Sequence, residues 1–220
     1  MNKAKYICFE GTEGVGKSTQ TQLLVDSLKR LGYKVLATKE PGSVHSPLTM
    51  TLRNIMLDNK YNTELTKSAR EFISQAIRSI HLEKVIIPAY RQYDYIIQDR
   101  GILSGLAYGT ACGNSLNDIS SYAKQITHPT HPHLSPEHIY DLVIYLQGDT
   151  TNDLKKALSA KQEFETGDAM ESRGDQFMEN VSTYMNILSD RFRVVKIKVI
   201  DKTIKEVHEE ILINLKLRDI

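Results

Sequence analysis

Residues 6–19, YICFEGTEGVGKST, constrain this chain more than any other stretch. Tyr6, Ile7, Cys8 and Phe9 form a short apolar run that reads as a buried strand. Gly11-Thr12-Glu13-Gly14-Val15-Gly16-Lys17-Ser18 follows at once and fits G-x-x-x-x-G-K-[ST]. From Ser18 onward the period is helical. A strand, a glycine loop and a helix in that order make a phosphate cradle. Successive backbone N–H groups curl around phosphate oxygens, and the helix N-terminus adds its dipole. Lys17 is expected to reach the β and γ phosphates and the Ser18 hydroxyl to hold Mg²⁺.

The rest of the chain alternates strand and helix patterns around this loop. Strands are expected at 33–38, 93–98, 140–147 and 194–200. Helical spacing appears after Ser18 (Leu23, Leu24, Leu28, Leu31), then in Leu48, Leu52, Ile55 and Met56, and from about Glu64 to His81. Further helices are expected at 103–111, 116–126, around Phe177 to Leu188, and from Ile204 to Leu215. This order predicts an α/β fold: a five-stranded parallel sheet with helices on both faces. At 220 residues it suits one domain, 1–220, with a small lid at about 149–175, where a polar segment carries both charge signs.

Composition narrows the partners. A formal net charge of +1 argues against broad nucleic-acid or membrane binding. No apolar run approaches a membrane span, and no signal-peptide pattern precedes the first strand. Two cysteines, Cys8 and Cys112, cannot build a disulfide framework, so a reducing, cytoplasmic setting is expected. His128, His131, His133 and His138 lie among three prolines, with no ligand spacing, and read as an extended loop rather than a metal site.

In the long helix, Phe72, Ile73, Ala76, Ile77 and Ile80 are expected on the buried side, with Arg70, Ser74, Arg78 and His81 on the other. Such a polar stripe is usually a solvated face. Asp99 ends an apolar strand, where a carboxylate can hold the water shell of Mg²⁺. Arg100 beside it can clamp a phosphate bidentately.

At this point the chain resembles the thymidylate kinases, enzymes that phosphorylate dTMP to dTDP. It opens with FEGTEGVGKSTQ and continues with Glu40-Pro41-Gly42 and Pro47-Leu48 up to Leu52-Arg53, close to EPGG…PLxxxIR. Arg78, His81, Glu83 and Pro88 match R-x-x-H-x-E…P, and Asp99-Arg100 with Ser104-Gly105-Leu106-Ala107-Tyr108 matches DRYxxSGxAY. Asp141-Leu142 fits the family's PDL, with Tyr140 in place of Pro. Their order and spacing, over nearly the whole chain, are specific.

The resemblance implies a nucleoside monophosphate kinase that binds ATP through Gly11, Thr12, Glu13, Gly14, Val15, Gly16, Lys17, Ser18 and Thr19. Mg²⁺ would be held by Ser18 and Asp99, partly through water. The monophosphate would meet Glu13, Glu40, Pro41, Arg53, Ser74, Arg78, Arg100, Gly105 and Tyr108. Glu13 falls where the family places a carboxylate against the 3′-hydroxyl, Arg78 and Arg100 where it binds the acceptor phosphate, and Tyr108 beside the sugar 2′ position. Lys17, Arg100 and a lid cation, Arg173 or Lys161, would act on the moving phosphoryl group. The resemblance also implies a homodimer. Two other readings stay open: a deoxynucleoside kinase in which Glu40 takes the 5′-hydroxyl proton, and an ATP-binding switch without an acceptor.

The chain departs from this pattern around the base. Typical members carry an aromatic ring where it has Ser74, Tyr where it has Gly101, and often Gln where it has Gly109. These changes predict a roomier, more polar base pocket, open to C5 substituents or other bases, unless Tyr61 or Tyr122 fills the gap.

Overall fold

The computed structural model describes residues 4–128, 135–150, 152–153 and 168–217. Its sheet has five parallel strands in the order β2-β3-β1-β4-β5. They are β1 (Lys5–Glu10), β2 (Val35–Lys39), β3 (Tyr95–Asp99), β4 (Leu142–Gln147) and β5 (Val194–Lys198). The expected strands all form. Four of them run shorter than their apolar patterns, because pairing with neighbours, not hydropathy, ends a strand.

Alternation along β1 sends side chains to two cores. Ile7 and Phe9 pack with α1 (Lys17–Arg30) and α8 (Ile204–Asn214) on one face. Tyr6 and Cys8 pack on the other against α5 (Ile102–Ala111) and α7 (Asp175–Ser189). The helices therefore do cover both faces, as the strand–helix alternation implied. The remaining helices are α2 (Pro47–Leu57), α3 (Lys67–His81), the single turn α4 (Ile87–Ala89) and α6 (Leu116–Thr127). A π-turn at Leu82–Ile86 joins α3 to α4.

Helix α3 keeps Ile77 buried as expected but otherwise turns its polar stripe inward. Arg70, Glu71, Gln75, Arg78 and His81 are buried, while Phe72 is 56 % exposed. Periodicity groups residues on a face but does not say which face turns inward. Here the polar stripe is inward because it has partners. Arg78 and His81 both meet Glu40, and Gln75 bridges Arg78 and Glu71. Smaller corrections follow the same logic. Leu31, Leu48, Ile55 and Ile204 share the period of their helices yet stand exposed.

Candidate active site

The strand order reverses at β1, with β3 on one side and β4 on the other, and ligands of open parallel sheets bind at such a point. A cleft of about 270 Å³ lies there, at the C-terminal ends of β1, β2 and β3. One end is the glycine loop. The other runs between α3 and α5 towards Lys67, Asn114 and Asp168.

At the loop end, Gly16 caps α1 in the left-handed region, with φ 94. Lys17 Nζ donates to Thr12 O at 2.6 Å, folded back across its own loop. Burial and then Arg100 push its pKa down to about 8. An arriving phosphate would restore the charge. Ser18 Oγ donates to Asp99 Oδ2 at 2.6 Å. Asp99 Oδ1 is buried with no partner among the described residues. Two hard oxygen groups in contact, one with an orphaned lone pair, fit a magnesium ion completed by water and phosphate.

Arg100 joins the loop to the acceptor side. Its backbone takes φ 64, sparsely populated for a non-glycine residue, and its N–H donates to Phe9 O. The guanidinium donates to Gly11 O at 2.9 Å, Ser104 Oγ at 3.0 Å and Glu13 Oε1 at 2.7 Å, and lies 5.4 Å from the Tyr108 ring centroid. Burial works against its charge, but Glu13, Tyr108, Asp99 and Glu10 together outweigh it and raise the pKa.

The turn after β2 supplies a second pair. Glu40 Oε2 accepts from Arg78 Nε at 3.1 Å, and Glu40 Oε1 lies 3.0 Å from His81 Nδ1. Burial would raise the Glu40 pKa, yet Arg78 and His81 together outweigh it and hold the carboxyl below its usual range. Gly42, at φ 81, lets Arg53 pack across the turn; a Cβ there would stand 2.7 Å from Arg53 Cδ. Glu13, Pro41, Arg53, Ser74, Gly105 and Tyr108 all line the cleft. The Tyr108 hydroxyl is buried with no partner among the described residues.

Arg173 does not line the cleft. It sits exposed in a 3₁₀ turn, Glu171–Arg173, with its guanidinium 5.2 Å from the Phe177 ring centroid. That turn is tied to α2: Ala169 N donates to Leu57 O, and Ser172 Oγ to Asn59 Oδ1. Asp168 and Met170, from the same stretch, do line the cleft. Lys161 and most of the expected lid lie outside the described residues, as do His131 and His133.

Two expectations about the base end need correction. Gly101 and Gly109 do not open space. A Cβ on Gly101 would stand 2.1 Å from the Tyr140 hydroxyl, and one on Gly109 would stand 2.6 Å from Glu71 Oε2. Tyr140, at the start of β4, fills the first gap and accepts from Ile102 N. Neither Tyr61 nor Tyr122 reaches the cleft; among its described lining residues Tyr108 is the one aromatic. Tyr122 instead packs on Phe72, with ring centroids 5.4 Å apart.

Sequence reasoning passed over four polar residues. Glu10 is fully buried at the end of β1. Its carboxyl accepts from Gly101 N at 2.9 Å, Ser104 N at 3.1 Å and the Ser104 hydroxyl, and so caps α5. A carboxylate ending an apolar strand was the available signal. For Ser104 the signal was its place in the run Ser104-Gly105-Leu106-Ala107-Tyr108; the pair Glu71–Gln75 lacked one, because on paper they look like surface residues.

The sequence profile of the thymidylate kinases matches residues 9–211. A thymidylate kinase of Finegoldia magna is 30 % identical over 219 residues, 98 % of this chain and 99 % of the relative. This chain belongs to the thymidylate kinase family. A Helicobacter pylori thymidylate kinase is 31 % identical, with 94 % of this chain and 95 % of that protein covered. The thymidylate kinase fold extends to a solved structure from Ehrlichia chaffeensis, with a TM-score of 0.70, 22 % identity, and 97 % and 99 % of the two chains covered. The thymidylate kinase fold and the P-loop together make this an ATP-dependent nucleoside monophosphate kinase in architecture. Among the described residues no helix is long and apolar enough to cross a membrane.

Proposed function

We propose that the chain transfers the γ-phosphoryl group of ATP to dTMP, giving dTDP. The observation that carries this reading is Arg100, which bonds the glycine loop and the acceptor side at once. The acceptor is a phosphate monoester, largely ionised at pH 7 because its second pKa is near 6. No general base is needed. The work is to bring two anions together and neutralise the moving group. Lys17 leaves Thr12 O for the β and γ phosphates. Arg100 takes the transferred group, and Arg53 and Arg100 hold the acceptor phosphate; Arg78, expected there as well, is tied instead to Glu40 and Gln75. Mg²⁺, held by Ser18 and Asp99, would neutralise charge on the donor phosphates. A cation from residues 149–175, Arg173 or Lys161, would complete the set.

Glu40 disfavours the deoxynucleoside kinase reading. Arg78 and His81 together hold its pKa down and engage both oxygens, so it is a weak proton acceptor. The test is ADP release from ATP with dTMP, with thymidine, and with neither. Release only with thymidine overturns the proposal; equal release in all three arms favours a switch.

The same reading takes the protein as a cytoplasmic homodimer. The outward face of α3 supports it, with Phe72 and Ala76 exposed and Ile73 and Ile80 half-buried. Phe72→Glu should halve the mass measured by sedimentation. An unchanged mass would remove this face from the interface.

A further inference from the structure

The far end of the cleft carries a hydrogen-bonding pair that phosphoryl transfer does not use. The acceptor phosphate must sit beside the glycine loop, because transfer requires it there. The rest of a monophosphate then extends between α3 and α5, and its base lies at the far end.

At that end α3 holds a fixed relay. Arg78 can only donate, so Arg78 Nη1, 3.0 Å from Gln75 Oε1, fixes the orientation of the Gln75 amide. Gln75 Nε2 must then face Glu71, and it donates to Glu71 Oε1 at 2.6 Å. Two polar atoms remain over. Arg78 Nη2 stands beside Gly105, 2.4 Å from where a Cβ would lie. Glu71 Oε2 stands beside Gly109, one turn further along α5. Neither atom has a hydrogen-bond partner among the described residues. Glu71 is 6 % exposed and Arg78 is 3 % exposed, and both line the cleft. Glu71 Oε2 is open to the cleft, so a ligand that shuts water out there must supply a donor or leave a carboxylate oxygen unpaired.

We propose that Glu71 is a specificity-determining residue that accepts the ring N–H of a thymine or uracil through Oε2, the oxygen beside Gly109. An ionised carboxylate oxygen only accepts, so it matches a ring N–H and not a ring nitrogen lone pair. The two glycines of α5 leave the side chains of α3 free to do the reading. Any side chain at 109 would collide with Glu71, so the gap at Gly109 is the space Glu71 occupies. Burial raises the Glu71 pKa, while its bond from Gln75 favours the ionised, accepting form.

The inference rests on the proposed kinase reading, and a substrate cycle separates the two. kcat/KM is measured for dTMP and N3-methyl-dTMP with the wild-type chain, Glu71→Gln and Glu71→Ala. The expected wild-type preference for dTMP is about ten- to a hundredfold, the worth of a hydrogen bond to a charged group. In Glu71→Ala the gap should close to about threefold, through KM rather than kcat, with KM for ATP unchanged. Glu71→Gln keeps the volume and should narrow the gap part-way. If the wild type turns over no monophosphate, the kinase reading fails. If it turns over dTMP but both variants lose the same factor on both substrates, the Glu71 inference is overturned. Should the variants fail to fold, equal wild-type kcat/KM for dTMP and N3-methyl-dTMP overturns it without them.

Discussion

The two ends of the cleft are built differently. The phosphate end comes from one contiguous stretch plus two residues at the tip of β3. Much of its contact surface is backbone, and its side chains rest on the loop and on one another until phosphate arrives: Lys17 on Thr12 O, Ser18 on Asp99, and Arg100 on Gly11 O and Glu13. The base end comes from side chains on α3 facing glycines on α5, with Glu40 and Asp168 added from distant loops. Its polar groups are mutually engaged: Glu40, Arg78, Gln75 and Glu71 form one chain of hydrogen bonds. An end made of backbone tolerates little variation, since any phosphate wants the same N–H cage. An end made of paired side chains can be rewritten, provided the pairs change together.

That contrast predicts losses of different kinds. Lys17→Ala should lower kcat about a thousandfold or more, comparable to removing a dedicated transition-state donor. Its thermal midpoint should stay within a degree or two, because Lys17 has no core role; a large drop in midpoint would make it structural. Arg100→Ala should lower kcat by about a hundredfold and leave KM for ATP nearly unchanged. Equal loss in both parameters would remove Arg100 from the transition state.

Arg78→Ala belongs to the other end and should behave otherwise. KM for the monophosphate should rise about ten- to a hundredfold with KM for ATP unmoved. The variant should also lose about 3–5 kcal/mol of stability, because Glu40 would remain buried without its arginine. An unfolding midpoint in denaturant equal to wild type would contradict the buried pair.

The phosphate end should also carry a pH signature. Only protonated Lys17 attracts phosphate, and its pKa in the free protein is lowered to about 8. As pH rises through that value the charge is lost, so kcat/KM for ATP should fall about tenfold per unit above pH 8. Lys17→Arg should flatten this limb, since guanidinium stays charged. A limb that persists in Lys17→Arg would assign the titration elsewhere.

The smallest effect tests the coupling of replacements. Gly101→Ala should cost about 1–3 kcal/mol by forcing Tyr140 aside. Gly101→Ala with Tyr140→Phe should cost less than the sum of the two single changes, measured by thermal melts. Strict additivity would separate the two positions.

The phosphate end was legible in residue order because its geometry is local. GTEGVGKS sets its own loop, and Asp99-Arg100 needs only β3 beside β1 to reach it. The five strands and their parallel order followed from alternating periods, for the same reason. Which face of α3 turns inward was not legible. A stripe of Arg70, Ser74, Arg78 and His81 reads as solvated until Glu40, thirty-eight residues before Arg78, comes to lie against it. Nor did Gly101 and Gly109 announce that Tyr140 and Glu71 take their space. A local pattern states what a residue is and which neighbours share its face. Only the packed chain decides whether a charge meets its opposite or water, and whether a missing side chain leaves room or is replaced from another helix.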